Sequence, residues 1–210
     1  MNAAAGCGAQ TPTPDVVDVV LDLDAQPLFA GYEEALFAEV SRLLPWFARI
    51  EGAGIHPLRC TAGAGGELLV ARRAKLVLRI PREKVCAASQ LEGARLTVGA
   101  SRLELGHGTF RRLAPSATLY SPRVVTPAKD EAGFLAAIES ELARLGVRGR
   151  LLCGRPSRVV REGVAHTAWG LAVHDLQPAA SLLLQRAGLG GLRELGCGIM
   201  IPHKTIQTSD

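Results

Sequence analysis

The sequence predicts an α+β fold of two tandem ferredoxin-like (β-α-β-β-α-β) units with a glycine-rich loop near the C-terminal end. Three observations carry this. Apolar residues alternate, then recur at helical spacing, then alternate twice more before a second helix and a last strand, and the same order begins again further on. The connections carry glycine and proline where one pattern gives way to the next. At 210 residues the chain suits one large or two small units with a real core.

The elements justify themselves in order. Asp15 to Asp24 (DVVDVVLDLD) alternates imperfectly and reads as a first strand. In Gly31–Leu44, residues Leu36, Val40, Leu43 and Leu44 fall at helical spacing, and Pro45 stops the helix. Gly63–Gly66 reads as a turn, and Glu67–Val70 with Lys75–Ile80 as a hairpin joined through Arg72-Arg73. Pro81 then opens a second helix, Arg82 to Gln90. Arg95–Val98 and Arg102–Leu105 are strand-like and break at Gly99. The second round places strands at Gly108–Leu113 and Ala117–Val125. A helix follows at Glu131–Leu145, with Phe134, Leu135, Ile138, Leu142 and Leu145 on one stripe. Strands near Arg150–Cys153 and Ala168–His174, a helix at Ala179–Ala187 and a short strand at Ile199–Ile201 complete it. The expected divisions are a disordered leader over 1–14, a first unit over 15–107 and a second over 108–210 that carries the loop 188–198.

Composition narrows the function classes. No apolar run approaches the roughly 20 residues that span a bilayer, and residues 1–14 lack a signal peptide's basic and apolar regions. The five cysteines are widely spaced, with no CxxC or Cys/His cluster at zinc spacing, and read as free thiols of a cytoplasmic protein. The charge is unevenly spread. Residues 1–71 hold three Lys/Arg and nine Asp/Glu, whereas 72–165 hold eighteen and eight. That contrast predicts an acidic face on the first part and a basic groove from the middle, suited to a polyanion. Asp15, Asp18, Asp22 and Asp24 match no calcium loop and read as a solvated strand face. No metal or cofactor is required.

The densest motif is Gly188-Leu-Gly-Gly-Leu-Arg193-Glu-Leu-Gly196-Cys-Gly198. Such glycines permit positive φ, and a run of free N–H groups around Arg193 could form a concave anion site. The order helix, glycines, strand differs from that of nucleotide-binding loops, where the glycines follow a strand. It suits a loop laid on a polymer backbone. On this reading Gly188, Gly190, Arg193, Gly196 and Gly198 contact phosphates. His203 and Lys204, just beyond, could reach the same phosphate. Arg72, Arg73 and Lys75 add bidentate forks and a point charge on the predicted hairpin, with Arg79, Arg82 and Lys84 extending the basic stretch. Edge-strand charges that deter aggregation would look the same. Among five histidines, His56 stands in the turn-rich Gly52-Ala-Gly-Ile-His-Pro57, where the proline biases it towards an extended backbone. An imidazole is suited to proton transfer near neutral pH. A turn histidine bonded to backbone is the bland alternative.

These segments resemble one family. The glycine loop, Gly54-Ile55-His56-Pro57, Ala71–Pro81, and Gly196-Cys-Gly198 with Pro202-His203-Lys204 are similar, in this order, to the CRISPR-associated endoribonucleases of the RAMP superfamily that cut repeat RNA. The resemblance implies doubled ferredoxin-like units and metal-independent cleavage. In that chemistry a 2′-hydroxyl attacks the adjacent phosphate and leaves 5′-hydroxyl and 2′,3′-cyclic phosphate (or 3′-phosphate) ends. It implies CRISPR repeat RNA, precursor and mature, as the partner, and association with a Cascade-type effector complex. It also maps a catalytic histidine onto His56 and a helix-start tyrosine onto Tyr32, which helix packing would explain equally. His203 is the rival for proton transfer. Two other readings stand beside this one: a non-cleaving RNA-binding subunit on the same fold, and an α+β domain whose glycine loop holds a small phosphorylated ligand.

Overall fold

A computed structural model describes residues 15–203. The expected leader over 1–14 and the candidate Lys204 lie outside the described residues. In chain order the first half contains β1 (Val16–Ala25), β2 (Leu28–Phe29), α1 (Tyr32–Leu43), β3 (Gly54–Ile55), β4 (Cys60–Ala62) and β5 (Glu67–Val70). β6 (Lys75–Pro81), α2 (Val85–Ala88), β7 (Arg95–Val98) and β8 (Ser101–Arg112) complete it. The second half contains β9 (Leu119–Val125), α3 (Glu131–Arg144), β10 (Arg150–Arg161), β11 (Val164–His174), α4 (Pro178–Ala187) and β12 (Ile201–Pro202).

The first five-stranded sheet has the order β3-β6-β1-β8-β7, and the second, four-stranded, has β10-β11-β9-β12. All pairings are antiparallel. In each sheet the strand that opens the half lies between a strand that precedes its last helix and one that follows it, β6 and β8 around β1 and β11 and β12 around β9, which is the ferredoxin-like arrangement. The α+β expectation holds.

Alternation decides what β1 buries. Val17, Val19 and Leu21 face a core shared with Leu36 and Val40 of α1 and with Leu76, Leu78 and Ile80. Asp18 and Asp22 fall on the opposite face. α1 carries Glu33 and Glu34 in its first turn and Arg42 in its last, complementing its dipole, and ends before Pro45. α3 is capped by Asp130, whose Oδ1 accepts from the Gly133 N–H at 2.7 Å. Its buried stripe is Phe134, Ile138 and Leu142, and Phe134 stacks on Trp169 of β11 in the second core. A small third cluster of Val125, Val159, Ala168, Leu195 and Cys197 touches Phe37 of α1 and joins the two halves. No helix among the described residues is long and apolar enough to cross a membrane.

Several element expectations need correction. β5 and β6 do not form a hairpin: β5 pairs with β2 and β4 in a separate three-stranded sheet. β6 buries Leu76, Leu78 and Ile80 on one face and Arg79 on the other, so it is drawn into the main sheet between β1 and β3. The helix expected over 82–90 contracts to α2, with single 3-10 turns on either side. The strand expected to open the second unit, Gly108–Leu113, is the far end of β8. Ten-residue β1 needs a partner along its length, and Val17 pairs with Arg112. The first sheet therefore continues through the 107/108 division. β10 likewise runs eight residues past Cys153, to Arg161, because β11 offers a matching partner beyond an irregularity between Cys153 and Pro156.

Candidate active site

The site begins as a row across three strands. Asp18 of β1 lies opposite Arg79 of β6 on one side and Arg111 of β8 on the other, and Gly54 of β3 lies opposite Arg79. Cross-strand neighbours on one face interact directly. Arg79 donates from Nε to Asp18 Oδ1 at 2.8 Å and from Nη2 to Oδ2 at 3.2 Å. Arg111 donates from Nη2 to Oδ2 at 3.4 Å. The remaining reach of Arg79 goes to the second half, where Nη1 donates to the carbonyls of Gln185 (3.0 Å) and Met200 (2.7 Å). Arg79 is fully buried and Asp18 only 3% exposed.

His56 follows β3 directly. Its N–H donates to Val77 O at 2.8 Å, and its Nε2 lies 3.2 Å from Asp18 Oδ1. Two residues on, the Leu58 N–H donates to the Tyr32 hydroxyl at 3.3 Å, so the segment is clamped against both the sheet and the start of α1. Gly54 permits this arrangement: a Cβ there would meet Ile199 Cδ1 at 2.8 Å and Arg193 O at 3.0 Å. The glycine loop thus packs on β3. Tyr32, His56 and Pro57 line, with Glu194 and Leu195, a crevice of about 10 Å³, the room of one water.

The charges in this pocket are strongly coupled. Burial works to raise the Asp18 carboxyl, but hydrogen bonds from His56 and Arg79 and the Arg79 charge outweigh it and hold it well below the usual carboxylate range. Burial lowers the pKa of His56, and the charges of Arg79 and Arg111 act in the same direction against the pull of Asp18. His56 is therefore a neutral imidazole, 8% exposed, beside an ionised carboxylate. Burial, and then the neighbouring Glu33, raise the Tyr32 phenol, which keeps its proton at every ordinary pH.

Tyr32 and His56 come together. The glycine loop behaves differently from the sequence expectation of free N–H groups, because its amides turn inward. Gly188 N–H donates to Leu184 O, Gly191 to Val125 O, Gly196 to Arg193 O and Gly198 to Arg123 O. Gly190, exposed, donates to the Glu141 carboxylate at 3.0 Å. Gly188, Gly196 and Gly198 are buried. A Cβ on Gly198 would collide with Leu189 O, and φ there is +66°. The glycines thus serve close approach to β9 and β3. Arg193 is buried as well: its Nη1 donates to the carbonyls of Arg186 and Ala187 at the end of α4, and burial pulls its pKa down to about 10.

Arg72, Arg73 and Lys75 sit elsewhere. They line an open groove of about 620 Å³ with Asp22, Asp24 and Glu104, and Lys75 pairs with Asp22. Asp22 is four residues from Asp18, about 13 Å along the strand. The cluster therefore lies away from His56, and the groove is of mixed charge. His203 is exposed; its N–H donates to Thr118 O and its ring packs 5.4 Å from that of Tyr120. Sequence reasoning missed Asp18, taken as solvated, and Arg79, taken as part of the exposed basic stretch. The usable signal was a lone charge between aliphatics on both sides, in Val17-Asp18-Val19 and Leu78-Arg79-Ile80.

Two antiparallel sheets of ferredoxin-like strand order, with a glycine loop that rests beside a histidine after the first helix, define the fold. One solved structure described as "CRISPR associated protein Cas6" superposes with a TM-score of 0.66 at 9% identity, covering 90% of this chain and all of that one. Another, described as "An RAMP protein binding different RNA substrates", gives 0.64 at 11% identity, with 90% and 100% covered. At such identities these likenesses speak for the fold alone. The family is fixed by sequence: the family model described as "Cas6 Crispr" matches residues 17–205. The "CRISPR-associated endonuclease Cas6" of Myxococcus xanthus (strain DK1622) is 35% identical over 189 residues, 89% of this chain and 81% of that protein. The chain belongs to the Cas6 family of CRISPR-associated proteins.

Proposed function

We propose that the chain is an endoribonuclease that binds CRISPR repeat RNA and cuts precursor transcripts into guide RNAs without a metal. The observation that carries this is the buried His56–Asp18 pair beside Tyr32 at the seam between the two halves, in a chain whose curated relative is a CRISPR-associated endonuclease. A neutral imidazole is the form a general base needs. His56 takes the proton of the 2′-hydroxyl next to the scissile phosphate. That oxygen attacks phosphorus and the 5′-oxygen departs, leaving a 2′,3′-cyclic phosphate (or, after its hydrolysis, a 3′-phosphate) and a 5′-hydroxyl. Tyr32 fixes the His56 segment through Leu58 and presents a neutral phenol to the same crevice.

Grip on the RNA comes from exposed groups. Arg72 and Arg73 in the turn before β6, His203 beside β12, and Arg111, Arg112, Arg155 and Arg158 on β8 and β10 are exposed cations or aromatics that can track a backbone. Gly188, Gly196, Gly198 and Arg193 shape the loop that seats His56. A product that stays bound to these groups would suit a subunit of a Cascade-type effector complex.

A second reading, a non-cleaving RNA-binding subunit, is favoured by one observation: His56 is 8% exposed and one of its nitrogens is already engaged. Cleavage of a labelled cognate repeat in EDTA, by wild type and His56→Ala with binding followed in parallel, decides between them. Loss of at least about 10²-fold in rate with retained affinity is the expected result. A His56→Ala protein that cuts normally would move the proton transfer to His203. A wild type that binds and leaves the RNA whole would make the chain a binding subunit.

A further inference from the structure

We infer that Asp18 is a positioning residue for the cut: it fixes His56 as the Nε2–H tautomer, so that Nδ1 is the nitrogen that receives the 2′-hydroxyl proton. The inference rests on the nuclease reading for its chemistry and on geometry for the tautomer.

For a neutral imidazole the geometry admits one proton assignment. Both Asp18 oxygens accept from guanidinium groups, Oδ1 from Arg79 Nε and Oδ2 from Arg79 Nη2 and Arg111 Nη2. A carboxylate so held is ionised, and an ionised carboxylate only accepts. The His56 Nε2 that lies 3.2 Å from Oδ1 must then be the donor. A neutral imidazole carries one N–H, so the lone pair is on Nδ1, which has no hydrogen-bond partner among the described residues. Which nitrogen carries the proton is set by the bond the other makes. The carboxylate is itself immobile, because Arg79 ties it to Gln185 O and Met200 O of the second half. The imidazole direction is thus set by Asp18 within the first half, and the second half holds the Arg79 fork that fixes that carboxylate.

In the step itself the Nδ1 lone pair takes the 2′-hydroxyl proton, and the O–H electron pair becomes the new bond from the 2′-oxygen to phosphorus. The bond to the 5′-oxygen breaks with its pair on that oxygen, which is protonated from water. The imidazolium so formed carries N–H on both nitrogens beside the Asp18 carboxylate, an attraction that is larger in the transition state than in the ground state. It returns its extra proton to solvent before the next cut.

The test is the imidazole tautomer in uniformly 15N-labelled full-length protein at pH 8, read from long-range proton–nitrogen correlations and assigned to His56 by difference with His56→Ala. The expected result is a protonated Nε2 and an unprotonated Nδ1 in wild type. Asp18→Asn can offer its amide N–H to Nε2 and should move the proton to Nδ1. Single-turnover cutting should then fall about 10²-fold or more with RNA affinity kept, and Asp18→Glu should recover part of the rate. A wild-type His56 protonated on Nδ1 overturns the inference even if the protein cuts, and so does Asp18→Asn cutting at the wild-type rate. If Asp18→Asn fails to fold, the wild-type tautomer still decides. A protein that shows the expected tautomer but never cuts sinks the nuclease reading and the proton-transfer step, and leaves the Asp18–His56 positioning intact.

Discussion

Asp18 and Asp22 lie on the same face of β1, and each stands opposite a cation of β6, Arg79 for Asp18 and Lys75 for Asp22. The local pattern is the same and the environments are opposite. Asp22 and Lys75 form an ion pair at the rim of an open groove, each about half exposed. Asp18 and Arg79 are covered by the end of α4 and by the chain before β12, and His56 completes the cluster. The difference teaches that an acid facing a base across two strands is only raw material. What lies over the pair sets its energetics and decides whether a neutral histidine can be held against it.

The largest effect should come from breaking the covered pair. Arg79→Ala leaves the Asp18 carboxylate buried without its fork and frees two carbonyls of the second half. Denaturant unfolding should show a loss of about 3–5 kcal/mol. A loss as small as that of a surface substitution would mean that the burial of this pair contributes little.

A middle-sized effect should appear on acidification. The folded pKa of His56 is lowered, so the unfolded chain binds its proton first. Stability should therefore be full above about pH 6.5 and fall as the pH drops below it. Asp18, also lowered in the folded protein, keeps its contribution down to about pH 4, its unfolded range, and loses it below that. Urea midpoints from pH 8 to pH 5 should drop for wild type and stay flatter for His56→Ala. An equal slope in both proteins would place the titrating group elsewhere.

The smallest effect belongs to the open pair. Asp22→Asn or Lys75→Gln should leave the unfolding midpoint within the spread of ordinary surface substitutions, and less than that at high salt. If either matched Arg79→Ala, the contrast between the two ends of β1 would fail.

Much of this was legible in the chain. The periods of α1, α3 and α4 announced themselves because each buries one stripe, and β1 and β11 by their aliphatic content. His56 stood out in a turn before proline, and Tyr32 was named through the family resemblance alone. Pairing was less legible. The aliphatics Leu76, Val77, Leu78 and Ile80 of β6 state that it is largely buried without stating between which strands. The glycine loop showed where side chains are missing and not what approaches. β3 and β9 do, and carbonyls of β9, of α4 and of the loop itself take up amides that an anion would have needed.

By itself the sequence determined the α+β class, the family, and a histidine placed directly before Pro57. Those properties follow from local period, backbone restriction and motif order, all of which act over a few residues. The tertiary structure alone decided that Asp18 and Arg79 are buried and that Arg79 reaches across to Gln185 and Met200. It also decided that the loop's N–H groups are spent inside the protein. The physical reason is that desolvation and hydrogen-bond partnership are set by whichever surface covers a residue, and here that surface comes from more than a hundred positions further along the chain.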